Sequence, residues 1–258
     1  MKPKKSLGQN FLVDLNMALK MVEAIGPQPD DIMVEIGPGH GILTRLLQPR
    51  VRKLYAVEID QRFYEELRAK FAGCDNFVLV ESDILDFDFS ATAADQVRVV
   101  GNIPYNITSP ILFHTFEYRK QIRDVTLLMQ KEVGVRAAAE ENCKDYGVLS
   151  VLGQALADVE LLMKVPPTVF RPRPKVDSVL VRWRFNEERA RRIRDEKFFR
   201  QIVRRAFNQR RKMLRNSLKD FADLTRFDFT RRPEQLSVEE WIDLANELFE
   251  KVQSTTTR

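Results

Sequence analysis

Short apolar runs recur along the first half of the chain, each followed by a stretch whose apolar residues fall at helical spacing. They are DIMVEI (31–36), KLYAVEI (53–59), NFVLVE (76–81), QVRVVG (96–101) and DVTLLMQ (124–130). Runs rich in β-branched residues and apolar almost throughout suit strands buried on both faces. Their alternation with helical segments predicts βαβ units, hence an α/β fold with a parallel, doubly wound sheet that holds ligands beyond the carboxyl ends of its strands. After Tyr146 the segment VLSVLGQALADVELLMKV reads as part helix and part strand. The Pro-rich PPTVFRPRPKVDS and the strand VLVRWRF follow it. Two consecutive strands with such a connection predict an antiparallel pair finishing the sheet. From about Asn186 the pattern turns helical and Arg-rich, which places a domain boundary there. Residues 1–185 form the α/β domain and residues 186–258 a small all-α domain. No internal repeat and no long low-complexity segment interrupts this order.

Composition narrows the class. With 258 residues, 44% hydrophobic and 31% charged, the chain has material for a full core plus an appendage. No apolar run approaches the ~20 residues of a membrane span, and MKPKKSLGQNF lacks the apolar core of a signal peptide, so a cytoplasmic protein is expected. Cys74 and Cys143 stand far apart, and with only His40 and His114 beside them no zinc spacing can be assembled. Both cysteines are read as reduced packing residues, and no metal is expected.

The net charge of +5 becomes informative once it is located. Residues 1–185 hold 24 Lys+Arg and 24 Asp+Glu, whereas residues 186–219 hold 13 basic and 4 acidic side chains. A surplus that one-sided favours a polyanionic partner, nucleic acid, over a merely solvated helix face. If residues 198–219 formed one continuous helix, Arg200, Arg204, Arg211, Arg215 and Lys219 would make a single stripe, with Phe199, Val203 and Phe207 turned inward. A break near Asn208 would leave a basic surface in place of one straight helix.

Candidate chemistry gathers at the strand ends. The first strand ends in EIGPGHG, with Gly37, Gly39 and Gly41 spaced G-x-G-x-G, one residue short of the dinucleotide fingerprint. The second ends in VEID, where Glu58 is placed to accept from both hydroxyls of a ribose. The third leads into SDIL, where Asp83 could accept from an adenine amino group. Singly, these are a tight turn and two helix caps. At the ends of three successive strands they describe a pocket for an adenosine nucleoside. A G-x-G-x-G loop preceded by Glu35 resembles the S-adenosylmethionine methyltransferase superfamily, and the loop offers no lysine for phosphates.

The fourth strand ends in GNIPY (101–105). An adenine amino nitrogen is a weak nucleophile because its lone pair is delocalised into the ring. Acceptors on that amino group favour the tetrahedral nitrogen of the transition state. Asn102 supplies one acceptor and the Ile103 carbonyl is the candidate for the second. Pro104 stiffens the turn, and Tyr105 gives a flat face for an extruded base. The plainer reading is a turn with Asn as a cap and Tyr as a core edge.

These pieces, with QNFL (9–12), EIGPGHGILT (35–44), LMQKEV (128–133), FRPRPKVDSVLVR (170–182) and FNQRRKMLRNSL (207–218), closely resemble the small-subunit rRNA adenine dimethyltransferases of the KsgA type over nearly the whole chain. The resemblance implies a Rossmann-like S-adenosylmethionine methyltransferase domain and transfer of methyl groups to two adjacent adenosines in the 3′-terminal hairpin of small-subunit (16S) rRNA. It also implies action on the small ribosomal subunit or its precursor, and a monomer is expected. By position, Asn10, Leu12, Gly37, Glu58, Asp83 and Asn102 become cofactor contacts, with Gly39, Ile59 and Ile84 beside them. Phe170 is implied to approach the target adenine from the face opposite Tyr105. His40 stands where the family more often has Leu, and its side chain is expected to leave the loop without a catalytic role. Lys2, Lys4 and Lys5 are read as an arm that touches RNA. The weighed alternatives are an Erm-type large-subunit methyltransferase, which shares NIPY, a non-catalytic RNA-binding assembly factor, and a nicotinamide dehydrogenase. RPKVDS and FNQRRKMLRN argue against the first, the intact strand-end rim against the second, and the glycine spacing against the third.

Overall fold

A computed structural model describes residues 9–92, 94 and 96–256. The strands are β1 (Phe11–Leu12), β2 (Ile32–Ile36), β3 (Lys53–Glu58), β4 (Phe77–Glu81), β5 (Val97–Asn102), β6 (Ile122–Gln130), β7 (Ala157–Val165), β8 (Phe170–Arg171) and β9 (Ser178–Phe185). The helices are α1 (Leu15–Ile25), α2 (Thr44–Leu47), α3 (Tyr64–Phe71), α4 (Thr108–Glu117), α5 (Lys131–Ala137), α6 (Val148–Leu156), α7 (Glu187–Ala190), α8 (Glu196–Phe207), α9 (Leu214–Ser217) and α10 (Val238–Thr256). All five apolar runs of the first half are strands.

Seven strands form one sheet in the order β4-β3-β2-β5-β6-β9-β7. From β4 to β6 neighbours run parallel, while β9 is antiparallel to β6. The last two strands do finish the sheet, as their Pro-rich connection predicts. β1 and β8 make a separate antiparallel ribbon, with Phe11 opposite Arg171 and Leu12 opposite Phe170. The order reverses at β2, which has β3 on one side and β5 on the other. This switch point opens the crevice where a doubly wound sheet binds ligands.

The lone arginine inside the apolar fifth strand has a structural explanation. Arg98 is 5% exposed and lies between Asp31 (2.8 Å) and Asp124 (2.9 Å). It also donates to the carbonyls of Ile25 and Gly26. Arg182 donates to the carbonyls of Ala24 and Ile25. Two guanidinium groups thus satisfy the last carbonyls of α1, the negative end of its dipole. The helix itself buries Ala18, Met21, Val22 and Ile25 against the sheet, and Asp14 caps its start by accepting from the Met17 amide at 2.8 Å.

The chain divides into two compact units, residues 1–134 with 160–185, and residues 135–159 with 186–258. The second unit therefore resumes at Asn186 but also takes residues 135–159, which a single contiguous division at residue 186 does not anticipate. The cause lies in α6, which buries Ser150, Val151, Leu152, Gly153, Ala155 and Leu156. A helix apolar on nearly every side needs partners all round, and α8 and α10 provide them. α8 buries Phe199, Ile202, Val203 and Ala206, and Trp241, Ile242 and Leu248 of α10 are buried too. The basic segment is not one continuous helix, and its break falls near Asn208. α8 stops at Phe207, and residues 208–212 form turns before α9 begins at Leu214. Asn-Gln-Arg-Arg-Lys offers no apolar side chain to hold another turn against a core.

Candidate active site

A pocket lies at the carboxyl ends of β2, β3, β4 and β5, roofed by residues 9–12. All nine residues expected around a nucleoside line it: Asn10, Leu12, Gly37, Gly39, Glu58, Ile59, Asp83, Ile84 and Asn102. Gly37 and Gly39 have φ of 64° and 54°, the left-handed region where a side chain is strained. A Cβ on Gly39 would also come within 3.2 Å of the Phe11 ring. The loop thereby brings the Gly39 amide to Glu58 Oε2 at 2.9 Å.

Glu58, 4% exposed, accepts from Asp60 N–H through its other oxygen at 2.8 Å. Each carboxylate oxygen keeps a second lone pair for a ligand. Burial raises the Glu58 pKa, and the Asp60 and Gly39 amides oppose that rise. Glu35, 2% exposed, also lines the pocket, and its Oε2 has no hydrogen-bond partner among the described residues. Its pKa is pushed up to about 7, chiefly by burial, with Thr44 opposing and the Glu58 charge adding to it. Asp83 Oδ1 caps the next turn by accepting from Leu85 N–H at 3.0 Å, so the plain reading of a cap and the reading of a pocket carboxylate both hold. Three carboxylates therefore face the pocket, while its lining contains no lysine or arginine among the described residues.

The end of β5 is held from the N-terminal side. Asn102 Nδ2 donates to the Asn10 carbonyl at 3.2 Å, which fixes the amide so that Oδ1 remains an acceptor. Ile103 and Pro104 follow it along the pocket wall. Tyr105 and Phe170 are not among the lining residues. Tyr105 is half-buried, and its hydroxyl pairs with that of the buried Ser178 at 2.8 Å. Burial raises its pKa, and Ser178 opposes the shift. Phe170 is 1% exposed and packs in the main apolar cluster with Leu12. A ring open to a base is therefore corrected here to a core ring, covered through the pairing of β8 with β1. Leu12, set opposite Phe170, brings the N-terminal segment and the Pro-rich loop together.

Two features went unread in the sequence, Gln9 and Ser178, and the expectation that the His40 side chain leaves the loop is corrected. His40 remains at the pocket, with its ring edge-on to Phe11 (5.1 Å) and Phe63 (4.9 Å) and Nδ1 3.0 Å from Glu66. Gln9 bonds to Asp60 at 3.1 Å, tying the N-terminal segment to the rim, and Arg62 holds the Asp60 carboxyl well below the usual range. Ser178, the partner of Tyr105, gave no local signal because the contact joins residues 73 positions apart. Of the basic residues, Arg204, Arg211, Arg215 and Lys219 are exposed in the second unit, while Arg200 is half-buried and 3.5 Å from Glu196. Lys2, Lys4 and Lys5 lie outside the described residues.

The sequence model of the family described as "Ribosomal RNA adenine dimethylase" matches residues 1–250. A protein of Chromobacterium violaceum named "Ribosomal RNA small subunit methyltransferase A" is 42% identical over 254 residues, covering 96% of this chain and 97% of that protein. One of the same name from Laribacter hongkongensis is 43% identical over 255 residues, covering 96% and 97%. Among solved structures, the 23S rRNA methyltransferase ErmE is similar with a TM-score of 0.69 and 29% identity, covering 95% of this chain and 100% of ErmE. A dimethyladenosine transferase from Plasmodium falciparum shares the fold with a TM-score of 0.81 and 24% identity, covering 94% and 98%.

Proposed function

The chain belongs to the ribosomal RNA adenine dimethylase family, and from that premise we propose that it dimethylates the N6 amino groups of two adjacent adenosines in the 3′-terminal hairpin of small-subunit rRNA. The protein is an rRNA adenine methyltransferase with a Rossmann-like domain. Relatives named for the small subunit stand at 41–43% identity, against 29% for ErmE, which favours this reading over a large-subunit substrate.

S-adenosylmethionine is the methyl donor in this reading, and the observation that carries it is the pocket lining. A nucleoside without phosphates needs no lysine, and a cationic ligand is matched by Glu35, Glu58 and Asp83. When bound, the donor supplies a methyl group on a positively charged sulfur. Glu58 accepts from ribose hydroxyls with its remaining lone pairs. Asp83 accepts from the adenine amino group, and Ile59 and Ile84 flank the base. Asn10 and Leu12 close the pocket from the N-terminal side.

On the substrate side, Asn102 Oδ1 accepts a hydrogen bond from the target amino group, and the Ile103 carbonyl accepts the other. Together they localise the nitrogen lone pair as the new N–C bond forms and the donor's S–C bond breaks, which returns the sulfur to a neutral thioether. The nitrogen becomes acidic only after attack and then loses its proton, so a neutral amide suffices in place of a strong base. Tyr105 offers the stacking face, oriented by Ser178. Phe170 takes part through packing beneath β1. The enzyme acts in the cytoplasm as a monomer on the small ribosomal subunit or its precursor, and Arg204, Arg211, Arg215 and Lys219 contact rRNA phosphates with Arg200 beside them.

The test is mass mapping and primer extension of small-subunit rRNA from cells with and without the protein. Dimethyladenosines at the 3′ hairpin should vanish with the protein. Their persistence would overturn the reading.

A further inference from the structure

Residues 171–177, the last residue of β8 and the loop that leads to β9, join two points already fixed beside the active site. At one end Phe170 pairs with Leu12, a residue of the pocket wall. At the other, Ser178 holds the Tyr105 hydroxyl at 2.8 Å and sits opposite Gln130 at the end of β6. The Lys131 amide donates to the Asp177 carbonyl at 2.9 Å, and Pro174 is buried between exposed neighbours. The loop also carries Pro172, so two of its seven residues have a fixed φ. It is anchored at both ends and in the middle.

What this frame displays is charge. Arg171, Arg173 and Lys175 are all exposed, as is Lys131 on the adjoining turn. The Arg171 guanidinium is braced by the carbonyls of Thr168 (3.1 Å) and Phe170 (2.8 Å). Arg173, Lys175 and Lys131 have no carboxylate partner among the described residues. Two acidic groups stand nearby. Asp177 faces Lys164 at 3.5 Å, and Glu132 is exposed at the start of α5. The cations outnumber them.

Sheet order gives the cluster its meaning. The nucleoside half of the rim is built on β2, β3 and β4, and Asn102 ends β5. The next positions along the same rim are the end of β6 and the start of β9, where the cations lie. A base reaching Asn102 would thus have the donor pocket on one side and the cationic loop on the other. We propose that this loop, through Arg173 and Lys175 with Arg171 and Lys131 beside them, grips the phosphates flanking the target adenosine, so that the catalytic unit carries a substrate-docking surface of its own. This deepens the rRNA reading and rests on it for the identity of the substrate. Phosphate contacts fix register without reading sequence, and a stiff loop presenting exposed cations loses little freedom on doing so.

The test compares wild type, Arg173→Ala/Lys175→Ala and the charge-keeping Arg173→Lys/Lys175→Arg in full-length protein. Two probes are used: small ribosomal subunits lacking the modification, and a single-stranded RNA oligonucleotide. Binding is measured across salt concentrations and donor affinity by calorimetry. Losing two phosphate contacts should weaken binding by about 20-fold near 0.1 M salt and flatten the log–log salt slope by about 1.4. The charge-keeping variant should match wild type, and donor affinity should not move. Equal affinity and slope for wild type and the alanine variant on both probes would overturn the proposal. So would a charge-keeping variant as weak as the alanine one, since that marks a packing effect. Loop-dependent binding of the oligonucleotide without action on subunits would support the loop and refute the substrate reading. Failure of wild type to bind either RNA would refute both.

Discussion

Replacing Glu35 with Gln should change how the protein responds to pH. The carboxyl is 2% exposed, one oxygen has no partner among the described residues, and its pKa rises from 4.5 to about 7. Burial in a site that offers the charged form too few donors is the main cause. The sign follows from proton counts. Between pH 4.5 and 7 the unfolded chain has released this proton while the folded chain keeps it, so stability falls as pH rises through that window. At about 1.36 kcal/mol per pKa unit the loss amounts to about 3 kcal/mol, complete above about pH 7. Glu58 also has a raised pKa, so the quantity to measure is the difference between variant and wild type. Urea unfolding at about pH 4, 6 and 8 should show Glu35→Gln gaining about 3 kcal/mol on wild type between the extremes. A cation in the pocket favours the charged carboxylate, so S-adenosylmethionine binding at about pH 6.5 should release a proton from wild type and none from Glu35→Gln at this site. Calorimetry in buffers of different ionisation enthalpy reads that proton. Parallel stability profiles for the two proteins would refute the reasoning.

Arg98→Met should destabilise the first unit by about 3 to 5 kcal/mol, because the buried Asp31 and Asp124 lose their buried partner and keep only the more exposed Arg123, at 2.8 and 3.6 Å; an unchanged urea midpoint would show that Arg123 alone suffices for both. Asp83→Ala should weaken S-adenosylmethionine binding before it affects transfer at saturating donor, as calorimetry beside a methylation assay would reveal. Arg211→Ala/Arg215→Ala should weaken small-subunit binding and flatten its salt dependence while donor affinity stays fixed. Identical slopes would mark these side chains as a solvated face.

Strand identity, the parallel class of the sheet and the pocket were legible because each rests on local pattern. A run such as IMVEI is buried along its length, and a residue at a strand end must stand at the rim of a parallel sheet. G-x-G-x-G, Glu58, Asp83 and Asn102 could therefore be assembled before any distance was known. The misplaced pieces depend on partners remote in sequence. Phe170 precedes an Arg-Pro pair that reads as exposed loop, yet Leu12, from the other end of the domain, covers it. His40 stays at the pocket because Phe11 and Phe63 supply ring edges no spacing rule foretells. Residues 135–159 look continuous with the α/β domain, and only the all-round burial of α6 shows where they belong.

The central claim is that Asn102, its amide set by the Asn10 carbonyl, activates the target amino group. The direct measurement is methyl transfer from labelled S-adenosylmethionine to unmodified small ribosomal subunits, for wild type and Asn102→Ala, with donor affinity measured on the same preparations. The account predicts donor affinity within an order of magnitude of wild type and transfer reduced by about 10² or more, the size expected for losing one preorganised hydrogen-bonding group. Transfer by Asn102→Ala at near wild-type rate would contradict it.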